Sequence, residues 1–303
     1  MRARVVSAQM PGSELILASN YPARVQAFRD GLIRQIPRKP STRESLAHMQ
    51  ALTTRDLILA YVNWQSRWLP AKPRKINTWL PGVNPVHLRA LRQELRSFMG
   101  KVTAGKDLTP HLSDTVRTAG YVISQPGVRA PRQDYDGVLT RYGFYHFHIA
   151  PHSHANPKGR GKYLLFAEVS DTEFTIVALS DHDALTPGTA QAEHFHLMCR
   201  AYLERDLKPG EGLMTNPLLS SGQSLILRLF SDQCDAKIAQ VDSKLDDAAF
   251  IAQLWGGQPL QRHGKPIRQP SHPRFRWQFN DLVFGLMERE AQVFFTVFPY
   301  FSR

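Results

Sequence analysis

The sequence predicts an α+β protein with a basic helical N-terminal region, an antiparallel β-sheet core and a C-terminal α+β extension. Hydrophobic residues make up 42% of the chain, which is enough to bury a core. Their spacing is helical up to residue 123 and alternates with period two from residue 143. Between these patterns, residues 124–134 are rich in turn formers, so we predict a linker there and two domains, 1–123 and 134–303.

Start and stop signals divide the N-terminal region into predicted helices. Ser41 stands three residues before Glu44, which is the spacing of a capping box at the start of the second helix. Asn84 followed by Pro85 predicts the start of the fourth, because Asn is a good N-cap and Pro suits the first helical position. The predicted helices cover residues 25–36, a segment from Ser41, and residues 54–68, 84–105 and 109–120.

The remainder of the chain is predicted to begin with a sheet. Residues 143–149, 163–169 and 174–179 are apolar or alternating runs joined by turn formers, and we expect three consecutive antiparallel strands. A helix is predicted at residues 190–205, with an inner face of Leu197, Met198, Ala201 and Tyr202. The extension is predicted to hold a strand at residues 224–230, a helix at 246–255 and a hairpin of 275–286 with 291–298.

Several classes of protein are disfavoured by composition. The longest apolar runs fall well short of the roughly 20 residues of a transmembrane helix. The basic start of the chain is not followed by the apolar run of a signal peptide. Cys199 and Cys234 give neither a disulfide framework nor a thiolate metal site. We therefore predict a cytoplasmic protein without a membrane partner.

The positive charge is concentrated in the N-terminal third of the chain. The net charge is +12 overall, but residues 1–106 carry 18 Lys and Arg against 5 Asp and Glu, while the remainder carries 20 against 21. This asymmetry indicates a polyanionic partner for the N-terminal region, either nucleic acid or an acidic protein. The alternative is a basic surface that serves solubility alone.

A proline-containing segment in this region predicts a nucleic-acid contact. The basic residues are Arg67, Lys72, Arg74 and Lys75, and Trp64, Trp68 and Trp79 flank them. Basic side chains interleaved with aromatic ones suit phosphate contact and base stacking. Alternatively, the tryptophans belong to the core below a proline-anchored loop. Lys158, in the loop after the first predicted strand of the sheet, is a further predicted nucleic-acid contact.

A cluster of histidines lies on the predicted sheet. His146 and His148 share one face of a strand, because side chains alternate along it. Asp181 and His182 follow the third strand, and the first two strands are joined by a loop. That loop contains His152, His154, Lys158, Arg160 and Lys162. In an antiparallel sheet, all of these groups can meet at one edge.

Two chemistries suit this cluster. A His-x-His pair with a third His or Asp is typical of zinc or another first-row metal ion. In metal-free RNA cleavage, by contrast, one side chain accepts the 2′-hydroxyl proton, a protonated His donates to the leaving oxygen, and Lys or Arg stabilises the phosphorane. This second chemistry needs no cofactor. The remaining alternative is that each histidine merely packs or forms a hydrogen bond within the sheet.

Part of the chain resembles the RelE/HigB-type toxin ribonucleases. The resemblance covers residues 137–185, where one strand, a basic turn, a second strand, a short turn and a third strand ending in a histidine follow each other. His182 falls at the position of that terminal histidine, and Lys162 falls where a basic residue opens the second strand. His146 and His148 stand where the family usually has Arg. A basic helical half before a Tyr-His-Phe-His core also resembles proteins of phages and mobile elements.

The resemblance implies a RelE-like core at residues 137–206 and a toxin-like or phage-defence endoribonuclease. Its predicted catalytic residues are His146, His148, His182, Asp181, Arg160 and Lys162. RNA is the expected partner, and the resemblance leaves open an antitoxin or the ribosome as a further one. The alternatives are a non-catalytic nucleic-acid-binding protein and a His-dependent metallonuclease.

Overall fold

The fold is α+β, as the sequence predicts. A computed structural model of the chain describes residues 21–123, 135–150, 161–256, 260–262 and 265–298. Its helices are α1 (Ala23–Gln35), α2 (Arg43–Ala51), α3 (Thr54–Gln65), α4 (Pro85–Ala90), α5 (Arg92–Thr103), α6 (Asp114–Thr118), α7 (Gly137–Tyr142), α8 (Ala190–Glu204), α9 (Leu225–Val241) and α10 (Ala248–Trp255). None of these described helices is long and apolar enough to cross a membrane.

Within the described residues, the strands form one central sheet and three smaller ones. They are β1 (Arg38–Lys39), β2 (Lys75–Thr78), β3 (Tyr121–Val122), β4 (Phe144–His148), β5 (Tyr163–Val169), β6 (Glu173–Asp181), β7 (Gln261–Arg262), β8 (Lys265–Pro266), β9 (Phe275–Asn280), β10 (Val283–Glu288) and β11 (Val293–Phe298). Short 3₁₀ turns cover Leu80–Gly82, Thr109–His111, His182–Leu185 and Asp242–Asp246.

The central sheet has the strand order β2-β6-β5-β4. Strands β4, β5 and β6 are consecutive and antiparallel, which confirms the prediction for residues 143–149, 163–169 and 174–179. The edge strand β2 pairs parallel to β6, beginning with Lys75 opposite Glu173. The N-terminal region therefore contributes one strand to the sheet, a strand that was not predicted from the sequence.

Helices cover both faces of the central sheet. On one face, Phe98 of α5 packs against Phe147 and Phe174, with ring centroids 5.4 and 5.9 Å apart. On the other face, Phe195 of α8 lies 4.3 Å from Phe166 of β5 between ring centroids. We call this second face the α8 face. His146 and His148 lie on it, because they alternate along β4 with Phe147.

A second core joins the N-terminal helices to the C-terminal part of the chain. Helices α1 and α3 pack against α9 and the sheet of β9 to β11. Tyr61 of α3 stacks on Phe279 of β9 with ring centroids 4.8 Å apart. Asp56 at the start of α3 forms an ion pair of 2.9 Å with Arg228 of α9. The packing thus spans both sides of the predicted linker 124–134, which lies outside the described residues.

The predicted strand at residues 224–230 is wrong, because this segment begins helix α9. Ser224 caps the helix, and its hydroxyl accepts a hydrogen bond of 3.2 Å from the backbone N–H of Leu227. The buried positions are Leu227, Phe230, Ser231, Cys234 and Ile238, which follow the i, i+3, i+4, i+7, i+11 pattern of one helical face. That helical period is visible only in a window that continues past residue 230.

The predicted C-terminal hairpin is also wrong, because residues 275–286 and 291–298 form three strands. Asp281 has a φ of 52° and turns the chain tightly between β9 and β10. Gln292 has a φ of 54° just before β11. Such left-handed backbone conformations are uncommon for residues other than glycine, which makes these turns difficult to locate from sequence.

Smaller differences concern helix boundaries and faces. Helix α8 buries Ala192, Phe195, Cys199 and Tyr202. Its predicted inner face was wrong for Leu197, whose side chain is 65% exposed, and for Ala201, which is also exposed. The capping box before α2 starts at Thr42 rather than Ser41. Asn84 caps α4 as predicted, but the predicted helix 84–105 is divided at Leu91 into α4 and α5. The last predicted helix, 109–120, is a 3₁₀ turn followed by α6.

Candidate active site at the strand ends

One end of the central sheet gathers several of the predicted catalytic residues. His148 is the last residue of β4. It lies in the same row of paired residues across the sheet as Ser180 of β6, two strands away. Asp181 ends β6 opposite Tyr163, the first residue of β5. Lys162 precedes Tyr163, and His182 follows Asp181. We call His148, Lys162, Asp181 and His182 the strand-end site.

Two imidazoles form the centre of this site. The rings of His148 and His182 have centroids 5.5 Å apart and an interplanar angle of 32°. His148 is 7% exposed, whereas His182 is half-buried. The Nε2 atom of His182 is buried and has no hydrogen-bond partner among the described residues. A buried polar atom in this state is costly in a folded protein and is a frequent feature of catalytic groups.

The flanking residues orient the site and supply its charge. The carboxylate of Asp181 accepts a hydrogen bond of 3.2 Å from the backbone N–H of Asp183, which turns the chain sharply after β6. This turn places His182 near His148 instead of continuing along the strand. Lys162 is exposed, and its Nζ lies 5.4 Å from the ring centroid of Tyr163. Its ammonium group therefore lies beside Tyr163, which pairs with Asp181.

The buried residue His111 holds the end of β4 through a backbone contact. His111 Nδ1 donates a hydrogen bond of 2.8 Å to the backbone carbonyl of His148. Its Nε2 accepts a hydrogen bond of 2.9 Å from Lys101 Nζ. Burial lowers the pKa of His111, so the ring is neutral and carries its proton on Nδ1. His111 was not predicted as part of the site; its turn is too short for its direction to be read from sequence.

His146 lies apart from the strand-end site. Its Nδ1 is 3.1 Å from a carboxylate oxygen of Asp136, and both side chains are largely buried. Burial favours neutral His146, but the carboxylate raises the pKa of His146 above its ordinary value of 6.5. Burial likewise disfavours ionised Asp136, but His146 lowers the pKa of Asp136 below 3.8. The two groups form an ion pair inside the α8 face, so His146 is engaged away from the predicted cluster.

Asp136 also starts the helix that precedes β4. Its other carboxylate oxygen accepts hydrogen bonds of 3.2 and 3.0 Å from the backbone N–H groups of Val138 and Leu139 in α7. One side chain thus caps α7 and holds the imidazole of His146. Asp136 was not predicted as part of the site; its one signal in the sequence is its position just before a short apolar helix, which is typical of an N-cap.

His87 is a further group near the strand-end site that the sequence did not indicate. It lies in α4, and its ring centroid is 4.8 Å from that of Tyr163. Its Nδ1 is buried and has no hydrogen-bond partner among the residues that the structure describes. Because Tyr163 pairs with Asp181, His87 lies close to the end of β6 although the two are far apart in sequence.

The basic residues of the proline-containing segment differ in burial and in their contacts. Arg67 is buried and donates to the carbonyls of Thr115 and Ala119. Arg74 is buried and donates to the carbonyls of Ser170, Pro70 and Lys72, and burial lowers its pKa. We do not propose Arg67 and Arg74 as phosphate contacts, because their guanidinium groups hold main-chain segments together. Lys72 is exposed and pairs with Asp171 at 2.9 Å, and Lys75 is exposed in β2.

Other exposed basic residues lie on α4, α5 and the turn that follows. Arg92 and Arg96 are one helical turn apart on α5, and Glu94 is the single acidic residue between positions 85 and 106. We call the following set the α4–α5 basic surface: Arg89, Arg92, Arg96 and Lys106. Because α4 also carries His87, this surface begins beside the strand-end site.

Some predicted residues cannot be placed. Arg160 and Lys158, together with His152 and His154, lie outside the described residues. Within the described part of the chain, no group of three or more His, Cys, Asp or Glu side chains is arranged to hold a metal ion. Comparisons with protein-family models, with curated proteins and with solved structures found no match to this chain.

Proposed function

We propose that the protein is a metal-independent endoribonuclease of the cytoplasm, toxin-like or related to phage defence, and that the strand-end site is its active site. The observation that supports this proposal most strongly is the pair of imidazoles at His148 and His182, 5.5 Å apart at the ends of two strands. An acid and a base held close together at the end of a rigid sheet are what a two-proton-transfer reaction needs.

The proposed reaction uses the 2′-hydroxyl of the RNA as the nucleophile. One imidazole of the pair accepts the 2′-hydroxyl proton while the 2′-oxygen forms a bond to phosphorus. The other imidazole is protonated and donates to the 5′-oxygen as the bond from phosphorus to that oxygen breaks. Lys162 stabilises the negative charge that develops on the phosphorane oxygens. The products are a 2′,3′-cyclic phosphate and a 5′-hydroxyl end.

The direct test is incubation of the protein with labelled single-stranded RNA in excess chelator. We expect cleavage that persists in EDTA, 2′,3′-cyclic phosphate ends, and a bell-shaped dependence of the rate on pH, because one imidazole must be neutral and the other protonated. Cleavage that EDTA stops and added metal restores would instead identify a metallonuclease. RNA binding without cleavage at any pH would favour a non-catalytic nucleic-acid-binding protein.

The α4–α5 basic surface supports RNA binding in either case. Replacing Arg89, Arg92 and Arg96 together with Gln should weaken RNA binding and reduce its salt dependence. Each lost phosphate contact lowers the slope of log K against log salt by about 0.7 for a single strand, so three contacts give a change of about 2. The measurement is fluorescence anisotropy over a range of salt concentrations.

A matched control removes the same charge elsewhere. Lys208, Lys265 and Arg268 are exposed in the C-terminal part of the chain. Their combined replacement with Gln should leave the slope nearly unchanged. If both triple variants reduce the slope equally, the RNA responds to overall charge, and the α4–α5 basic surface has no special role.

A further inference from the structure

A cleft of about 470 Å³ opens next to the strand-end site. It lies between the 3₁₀ turn Leu80–Gly82, the start of α4, the end of β6 and the first half of α8. Gly82 makes this shape possible, because a Cβ atom there would lie 1.8 Å from the carbonyl oxygen of Val177 in β6. The turn therefore lies directly against the strand and leaves the side chain of Leu80 71% exposed at the mouth.

The lining combines apolar walls with a few polar groups. Phe195 and Met198 of α8 form the apolar side opposite Leu80. Gln191 Nε2 donates a hydrogen bond of 3.2 Å to Ser180 Oγ, which uses the nitrogen of the amide and leaves its oxygen to accept. His87 also lines the cleft, and its Nδ1 is buried without a partner among the described residues; Asn84 and His194 are further polar lining residues. A concave apolar site with few convergent polar groups is typical of a small-ligand site.

The distance between the cleft and the imidazole pair suits one nucleotide. Ser180 lies in the same row of the sheet as His148, with Leu164 of β5 between them. Since neighbouring strands are about 4.8 Å apart, the two residues are separated by roughly 10 Å. A phosphate at His148 and His182 would thus leave its adjacent base within reach of the cleft.

We propose that this cleft binds a nucleobase of the RNA substrate and that Gln191 reads its polar edge. An unstacked base has apolar faces that match the walls and a hydrogen-bonding edge that matches an amide, which is how proteins read single-stranded RNA. The cleft then selects the nucleotide next to the cleaved phosphate. This inference rests on the proposed function for the position of the phosphate, but base binding can be measured without cleavage.

The test uses protein with His182→Ala as background, so that RNA is not cut during the measurement. Binding is compared for short single-stranded RNAs that differ at one position, which holds each of the four bases or an abasic site. We expect one base to bind about 5- to 100-fold more tightly than the other three, the discrimination against a wrong base that a good amide–base contact gives. Adding Gln191→Ala should reduce this preference to within about threefold and leave affinity for the abasic RNA unchanged.

Two further variants make the result decisive. Met198→Trp fills the cleft and should also remove the base preference, whereas Gln253→Ala, an exposed glutamine on α10, should retain it. Equal binding of all five RNAs, or a preference that survives both Gln191→Ala and Met198→Trp, would overturn the inference. Cleavage by the wild-type protein without base preference would refute the cleft alone, while base preference without cleavage would refute the ribonuclease and retain the cleft as a base-binding site.

Discussion

Replacing His182 with alanine should lower the rate of RNA cleavage by about 10²- to 10⁴-fold, the usual contribution of a positioned general acid or base. His182 is the more exposed imidazole of the pair, and its ring is 5.5 Å from that of His148. Without His182, one of the two proton transfers has no side chain to perform it. The rate should therefore fall, and one limb of the pH–rate profile should disappear. RNA affinity should change little, because binding depends mainly on the basic residues. Single-turnover cleavage and anisotropy measure the two quantities separately.

A control variant distinguishes chemistry from general damage. His272 is exposed in the segment before β9, and His272→Ala should cleave RNA at the wild-type rate. Thermal unfolding of both variants should resemble that of the wild type. Loss of activity in His182→Ala that is matched by a comparable loss of stability would contradict a catalytic role, and so would a rate within threefold of wild type.

Replacing Asp136 with alanine should lower the free energy of unfolding by about 3–5 kcal/mol, because it leaves the buried His146 without its counter-charge. Asp136 also accepts hydrogen bonds from two backbone N–H groups of α7, so the alanine variant loses a helix cap as well. Asp136→Asn is the matched variant, since asparagine caps helices about as well as aspartate. It should therefore be more stable than the alanine variant by about 1 kcal/mol, the usual value of a cap. Urea denaturation measures both.

The loss of unfolding free energy in the Asp136 variants should depend on pH. The pKa of His146 is raised above 6.5, so its contribution to stability is complete below pH 6.5 and is lost as the pH rises through the folded-state pKa. The pKa of Asp136 is lowered below 3.8, so its contribution is complete above pH 3.8 and is lost as the pH falls through the folded-state pKa. The difference between wild type and Asp136→Asn should thus be largest from pH 3.8 to 6.5. A difference that does not vary with pH would contradict an ion pair.

The central strands could be predicted because their pattern is local. Residues 163–169 and 174–179 are short apolar runs with turn formers between them, and no other element fits that length. The start of α9 has the same appearance over seven residues, and the helix shows its period only when Cys234 and Ile238 are included. Pairing of β2 with β6 was not predictable, because a four-residue strand gives little periodic signal and its partner lies about a hundred positions away.

The residues of the candidate site likewise differ in whether their positions could be predicted from sequence. His148, Asp181 and His182 could be brought together from sequence, because the strand register follows once the three strands are known. Asp136 and His87 could not, because each reaches its partner through packing of separate elements rather than through spacing. Arg67 and Arg74 were predicted as nucleic-acid contacts, but they bond to main-chain carbonyls. A basic residue in an extended segment looks the same in the sequence whether it faces solvent or such carbonyls.

The second core has a consequence for how the protein folds during synthesis. Asp56 pairs with Arg228, and Arg24 of α1 bonds to Asp242, 218 positions along the chain. When the ribosome has synthesised the first 220 residues, α1 and α3 have been made. The elements α9 and β9, against which they pack, have not. Contacts of such high sequence separation slow folding and expose apolar surface meanwhile. The apolar faces of α1 and α3 in a nascent chain should therefore stay exposed until α9 and β9 have emerged.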